Sequence, residues 1–140
     1  MSRLWLALLC LVLVVWQPLN FAVEASGAMS TLGMRGAAAI VELVAHGAVT
    51  ALCVAAGWAL WQGSPGGPRL ARVAVVAMAI AGVQGLYLTV LPSSVFPSDR
   101  LPLAALTVVH SAVWLAYLAR STYIRRLEDP APTSTARLSR

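Results

Sequence analysis

The second long apolar run of the chain holds an acid and a histidine one helical turn apart, Glu42 and His46. A carboxyl and an imidazole at this spacing share one helix face and can exchange a proton. Thr50 and Cys53 continue the same ridge. An ionisable group at the centre of a membrane span costs on the order of 3 kcal/mol by insertion scales, which makes such a residue a functional candidate by default. The fourth apolar run supplies a second imidazole, with Thr107, His110, Ser111 and Trp114 on one face. The third contributes Gln84 and Tyr87, and the first Gln17 and Asn20. Counted from the outer helix ends, His46 and His110 each lie about nine residues in, or about 14 Å at 1.5 Å per residue. On parallel helices the two imidazoles then share one depth. Bis-histidine ligation of a b-type haem requires such a pair, and a quinone site between His46 and His110 is the related alternative.

Structural roles compete with these. Polar side chains in a membrane bundle form interhelical hydrogen bonds worth about 0.6 kcal/mol each. Gln17, Asn20, Gln84, Thr107 and Ser111 suit that role, and His110 suits a satisfied core position. Hydrolytic catalysis has no support, because no nucleophile stands at a workable spacing from a base and an orienting group. There is no phosphate-cradling glycine loop and no zinc motif. Cys10 and Cys53 lie inside apolar runs, away from any metal-ligand spacing, so no metal and no cofactor is expected beyond the haem alternative.

The elements that must position these residues follow from composition. Of 140 residues, 59% are hydrophobic and 11% are charged, against roughly 25% charged in soluble domains. The chain has too little polar surface to face water, and its expected partner is the lipid bilayer. All ten basic residues are arginines, and the isoelectric point is near 10.3. They flank apolar runs without forming an aromatic-laced patch, which argues against nucleic acid as a partner.

Four segments meet the requirement of about 20 mostly apolar residues for a span: 4–23, 37–61, 70–91 and 101–119. Short connections rich in glycine and proline separate them, with Gly63, Pro65, Gly66, Gly67 and Pro68 in the second and Pro92 and Pro97 in the third. The expected fold is all-α, an antiparallel bundle of four transmembrane helices over residues 1–127, with a disordered tail over 128–140. Arg3, Arg69, Arg72, Arg120, Arg125, Arg126, Arg137 and Arg140 fall on one side of such a bundle, and Arg35 and Arg100 on the other. The positive-inside rule then places both termini in the cytoplasm, in a bacterial inner membrane. Alternatively, Arg3 and the apolar residues after it form a signal peptide, cleaved near Val23, Glu24 and Ala25.

Small residues mark the expected helix contacts. Gly47, Ala51, Ala55 and Ala59 form one ridge, and Ala77, Ala81 and Gly85 another. Ridges of this kind allow close backbone approach, within the bundle, between copies in a homo-oligomer, or with another membrane protein.

Several of these residues match a known pattern. Val41 and Glu42 in the second span, Pro68 opening the third, and Trp114, Tyr117 and Ser121 closing the fourth resemble the motifs of the YdgK-like family of small bacterial four-span membrane proteins. The family tends to have Asn where His46 stands, and a basic residue where Tyr123 stands. The resemblance implies a four-helix inner-membrane protein and brings no biochemical activity with it. The leading expectation is a non-enzymatic structural or accessory membrane component. The alternatives are a small proton-coupled transporter using Glu42 and the haem or quinone site.

Overall fold

A computed structural model describes residues 2–29, 32–87, 96–122 and 124–125. Its elements are α1 (Ser2–Leu11), a π-helical turn (Val12–Trp16), α2 (Gln17–Met29), α3 (Leu32–Trp61), α4 (Gly67–Tyr87), a short 3-10 turn (Pro97–Asp99) and α5 (Arg100–Arg120). The described residues are all-α, and four helical stretches are long and apolar enough to cross a membrane: Leu4–Met29, Gly36–Trp61, Gly67–Tyr87 and Arg100–Arg120. Within the chain only 11–22% of each stretch's most apolar window is buried. Ile40, Val44, Val73, Ile80 and Val108 face outward. In water these faces would have to be covered, whereas lipid solvates them without cost. The chain is built as a multi-span membrane protein.

The second and fourth spans match expectation to within one residue, and the first and third differ by more. The first span continues past residue 23 to Met29. The third begins at Gly67 with Pro68 in its first turn, where a missing N–H is tolerated. Its expected end at residue 91 lies outside the described residues, as do Pro92, Arg126, Arg137, Arg140, Tyr123 and the tail 128–140. The second span starts at Gly36, whose backbone (φ 71, ψ −165) breaks α3 in a region open to glycine.

Pro18 shapes the first span. Proline offers no N–H, and in a regular helix its ring meets the carbonyl four residues back. Just before it the helix widens, and the Gln17 N–H donates to the Val12 carbonyl five residues away. This π-turn is also where α3 crosses most closely. A Cβ on Gly57 would stand 2.5 Å from Val14 Cγ2 and 3.1 Å from Leu13 Cβ. Cys10 Sγ donates weakly to the Gly57 carbonyl at 3.6 Å. Leu9, Leu13, Cys53 and Leu60 are fully buried around this crossing.

The small-residue ridges are accordingly rotated from expectation. Ala56 and Gly57, with Ala71 and Ala74 of α4, are the buried ones, while Ala51 and Ala55 are exposed on the outer face. One residue turns a helix by 100°, so choosing Gly57 for the crossing carries Ala55 away from it. Gly47 meets Phe21, Gly85 lies near His46, and Ala77 and Ala81 are half-buried.

Helix polarity is antiparallel. Arg72 Nη2, near the start of α4, donates to the Leu118 carbonyl near the end of α5 at 3.5 Å. Trp5 packs against Trp114 (centroids 5.9 Å apart, edge-on) and Tyr117 (6.4 Å). The beginning of the first span and the end of the fourth thus share one face of the bundle.

Candidate functional site

Sequential helices pack along the order α2, α3, α4, α5, and no packed interface between α2 and α5 closes the ring. The first and fourth spans meet through Trp5 at the arginine-rich end and diverge beyond it. A cavity of about 580 Å³ opens there, lined by all four spans. That volume lies within the usual range for a small-molecule site. Trp16, Phe21, Val49, Met78 and Leu106 give it apolar walls.

Its polar groups begin with an ion pair. His46 Nδ1 lies 2.8 Å from Glu24 Oε1, with side chains 15% and 37% exposed. Opposite an ionised Glu24, Nδ1–H is the donor, and the ring keeps Nε2 for another partner. Gln17, Asn20 and Glu24 follow an i, i+3, i+7 spacing on α2, which brings all three to the same cavity. On α5, Trp114 Nε1–H donates to His110 Nε2 at 2.9 Å. An indole nitrogen only donates, so His110 is neutral and carries its proton on Nδ1. Two hydroxyls are occupied within their own helices: Thr50 donates to the His46 carbonyl and Thr107 to the Leu103 carbonyl, each at 2.9 Å.

The remaining polar capacity is unused. Ser111 is 3% exposed and its Oγ has no partner among the described residues. Nε2 of His46, Nδ1–H of His110 and the amides of Gln17 and Asn20 likewise make no hydrogen bond within the described chain. Within a bilayer each unsatisfied polar group costs several kcal/mol. Five such groups line one cavity, with Ser111 buried and Asn20 and His110 exposed.

His46 and His110 therefore do line a common cavity, as their depth implied. Glu42 and Gln84 are not among its lining residues. Glu42 is half-buried on α3, a turn from His46, and Gln84 is exposed on α4. The acid at the cavity is Glu24, which sequence reasoning missed by ending the first span at residue 23. The spacing of Gln17, Asn20 and Glu24 was the signal that could have found it. Among the described residues no three His, Cys, Asp or Glu side chains group to hold a metal. The only lone pair His110 could give a haem iron is the one Trp114 occupies. Cys10 and Cys53 are free, buried thiols in the packed core, and Cys53 Sγ approaches the Ala74 carbonyl at 3.9 Å. No protein-family model, no curated protein and no solved structure matches the chain.

Proposed function

We propose that the chain is a non-enzymatic binding component of a bacterial inner membrane that holds a small amphiphilic molecule between its first and fourth spans. One observation carries this reading. Five polar groups that make no hydrogen bond among the described residues, the buried Ser111 hydroxyl foremost, line a cavity whose walls are otherwise apolar and whose α2–α5 side lacks a packed helix pair. A headgroup with an apolar tail answers both halves of that description. The uneven distribution of arginines supports cytoplasmic termini, which puts the cavity in the outer half of the membrane. The first span is retained in this reading, since it supplies Gln17, Asn20 and Glu24. Ala51 and Ala55, exposed on the far side of α3, offer a seam for a second copy or another membrane protein. Membership of the YdgK-like family, proposed on the motifs around Glu42, Pro68 and Trp114, agrees with this role.

A second reading, a small proton-coupled transporter, is favoured by the Glu24–His46 pair. The proton-binding acid is then Glu24, not Glu42.

The test is recovery of a bound molecule. Protein is purified in nanodiscs formed directly from native membranes, and its lipid extract is compared by mass spectrometry with that of Ser111→Leu, which fills the cavity. A small amphiphile enriched with the wild type and lost from the variant supports the reading. Identical extracts overturn it. A proton flux in proteoliposomes that Glu24→Gln abolishes and Glu42→Gln leaves intact supports the transporter instead.

A further inference from the structure

We infer that the molecule in this cavity is the headgroup of a lipophilic quinone or its quinol, admitted sideways from the bilayer between α2 and α5; the inference rests on the binding reading above. Three features select this class.

The first is charge. Glu24 and His46 are the ion pair of the lining, and no arginine is among the described lining residues. A fatty-acid carboxylate or a lipid phosphate would face Glu24 with no cation to answer it, and a cationic amphiphile would compete with His46 for the one acid. A neutral headgroup meets neither obstacle.

The second is the placement of donors and acceptors. On α5, His110 Nδ1–H and the Ser111 hydroxyl are free donors. On α2 and α3, across the cavity, stand His46 Nε2–H, a donor when the ring is paired as a cation with Glu24, and the Gln17 and Asn20 amides, which can accept or donate. A ring with an oxygen at each end spans this arrangement. A quinol hydroxyl donates to the Gln17 or Asn20 amide oxygen while its other oxygen accepts from His110 or Ser111. A quinone accepts at both ends, from an amide on one side and from His110 or Ser111 on the other. Trp16 and Phe21 supply the flat walls.

The third is access. A quinone tail is too apolar to pass through water, so the site must open to lipid. The unpacked side between α2 and α5, where Trp16 and Leu106 are exposed at the cavity, is such an opening. The inference concerns binding alone, and no electron transfer is assigned.

Trp16 makes the test direct, because quinones quench indole fluorescence on contact. The full chain in nanodiscs is titrated with a short-tailed benzoquinone, then with the corresponding quinol and with a fatty acid as competitors. Saturable quenching, displaced by quinol and not by fatty acid, and lost in Trp16→Phe, is the expected result. Ser111→Ala and His110→Gln should each weaken binding about tenfold, the effect of one well-formed hydrogen bond, while Gln62→Ala in the exposed α3–α4 turn leaves it unchanged. Ser111→Ala removes an atom that bonds nothing in the described chain, so it stays informative where His110→Gln lowers yield. Linear quenching, equal in wild type and Trp16→Phe, overturns the inference. If an amphiphile of another class still co-purifies and is lost from Ser111→Leu, the quinone falls and the binding cavity stands. If nothing co-purifies, both fall.

Discussion

His46 Nδ1 lies 2.8 Å from Glu24 Oε1, bridging the first two spans in the half of the bundle where the first span has parted from α5. The pair joins residues 22 apart in the chain. Each partner thereby holds the other in a region where an unanswered charge is costly. It also fixes which imidazole nitrogen is left to face the cavity.

Removing one partner should therefore cost more than removing a side chain elsewhere on α3. Glu24→Leu strands the His46 Nδ1–H, at about 1–3 kcal/mol. A double-mutant cycle over Glu24 and His46, read by reversible unfolding in detergent, should show a coupling of about 0.5–3 kcal/mol. The same cycle over Glu42 and His46 should show a smaller one. Equal couplings would mean that the contact across the spans is not the dominant one.

His110 should be a neutral imidazole with its proton on Nδ1. Nitrogen-15 spectra of the labelled ring should show Nδ1 as protonated and Nε2 as an acceptor. Trp114→Phe removes the donor and should turn the spectrum into a tautomer mixture, with a stability loss of about 0.5–1.5 kcal/mol. An unchanged spectrum would refute the assignment.

Gly57 has no room for a side chain, while Gly27 has nothing within 4 Å of an added Cβ. Gly57→Ala should lower stability by about 1–3 kcal/mol through overpacking against Leu13 and Val14. Gly27→Ala should be neutral or stabilising by about 0.5–1 kcal/mol, as expected for a helix interior. Thermal unfolding of the two variants side by side decides it.

Ala55 and Ala56 are neighbours in sequence and opposites in environment, one exposed and the other fully buried. Ala56→Leu should disrupt the packed crossing and yield poorly folded protein. Ala55→Leu should leave the monomer's stability within about 0.5 kcal/mol. If the outer seam joins two copies, Ala55→Leu should instead lower the apparent mass on size-exclusion chromatography.

The spans could be read from the sequence because membrane helices follow an average property, apolar length, and no single residue decides it. Depth was legible for the same reason, since rise per residue is constant. That reasoning put His46 and His110 at one level, and both line the same cavity. What escaped were features set by local irregularity. The first span was ended at residue 23, whereas the helix absorbs Pro18 with a π-turn and continues to Met29. Glu24 therefore looked like the residue after a span, when it is a residue of the span facing inward. Of the small-residue ridges, Gly47, Ala77, Ala81 and Gly85 are half-buried, while Ala51 and Ala55 turn outward within this chain. Spacing of four identifies a stripe, but the stripe that packs is selected by the closest approach at Gly57, which periodicity alone cannot rank.

Among the described residues Trp5, Trp114 and Tyr117 join the first span to the fourth at one end, and no packed α2–α5 interface follows, so the bundle is a strip of four helices and not a closed cylinder. A closed ring can widen only by straining every interface around its circumference. A strip has one soft coordinate, the angle between its outermost helices, and movement along it leaves the α3–α4 core untouched. The gap between α2 and α5 can then follow the thickness of whatever occupies it, with the aromatic end as pivot. In the proposed binding role, breadth of ligand size follows from helix connectivity, and discrimination between headgroups from the few polar atoms on either side.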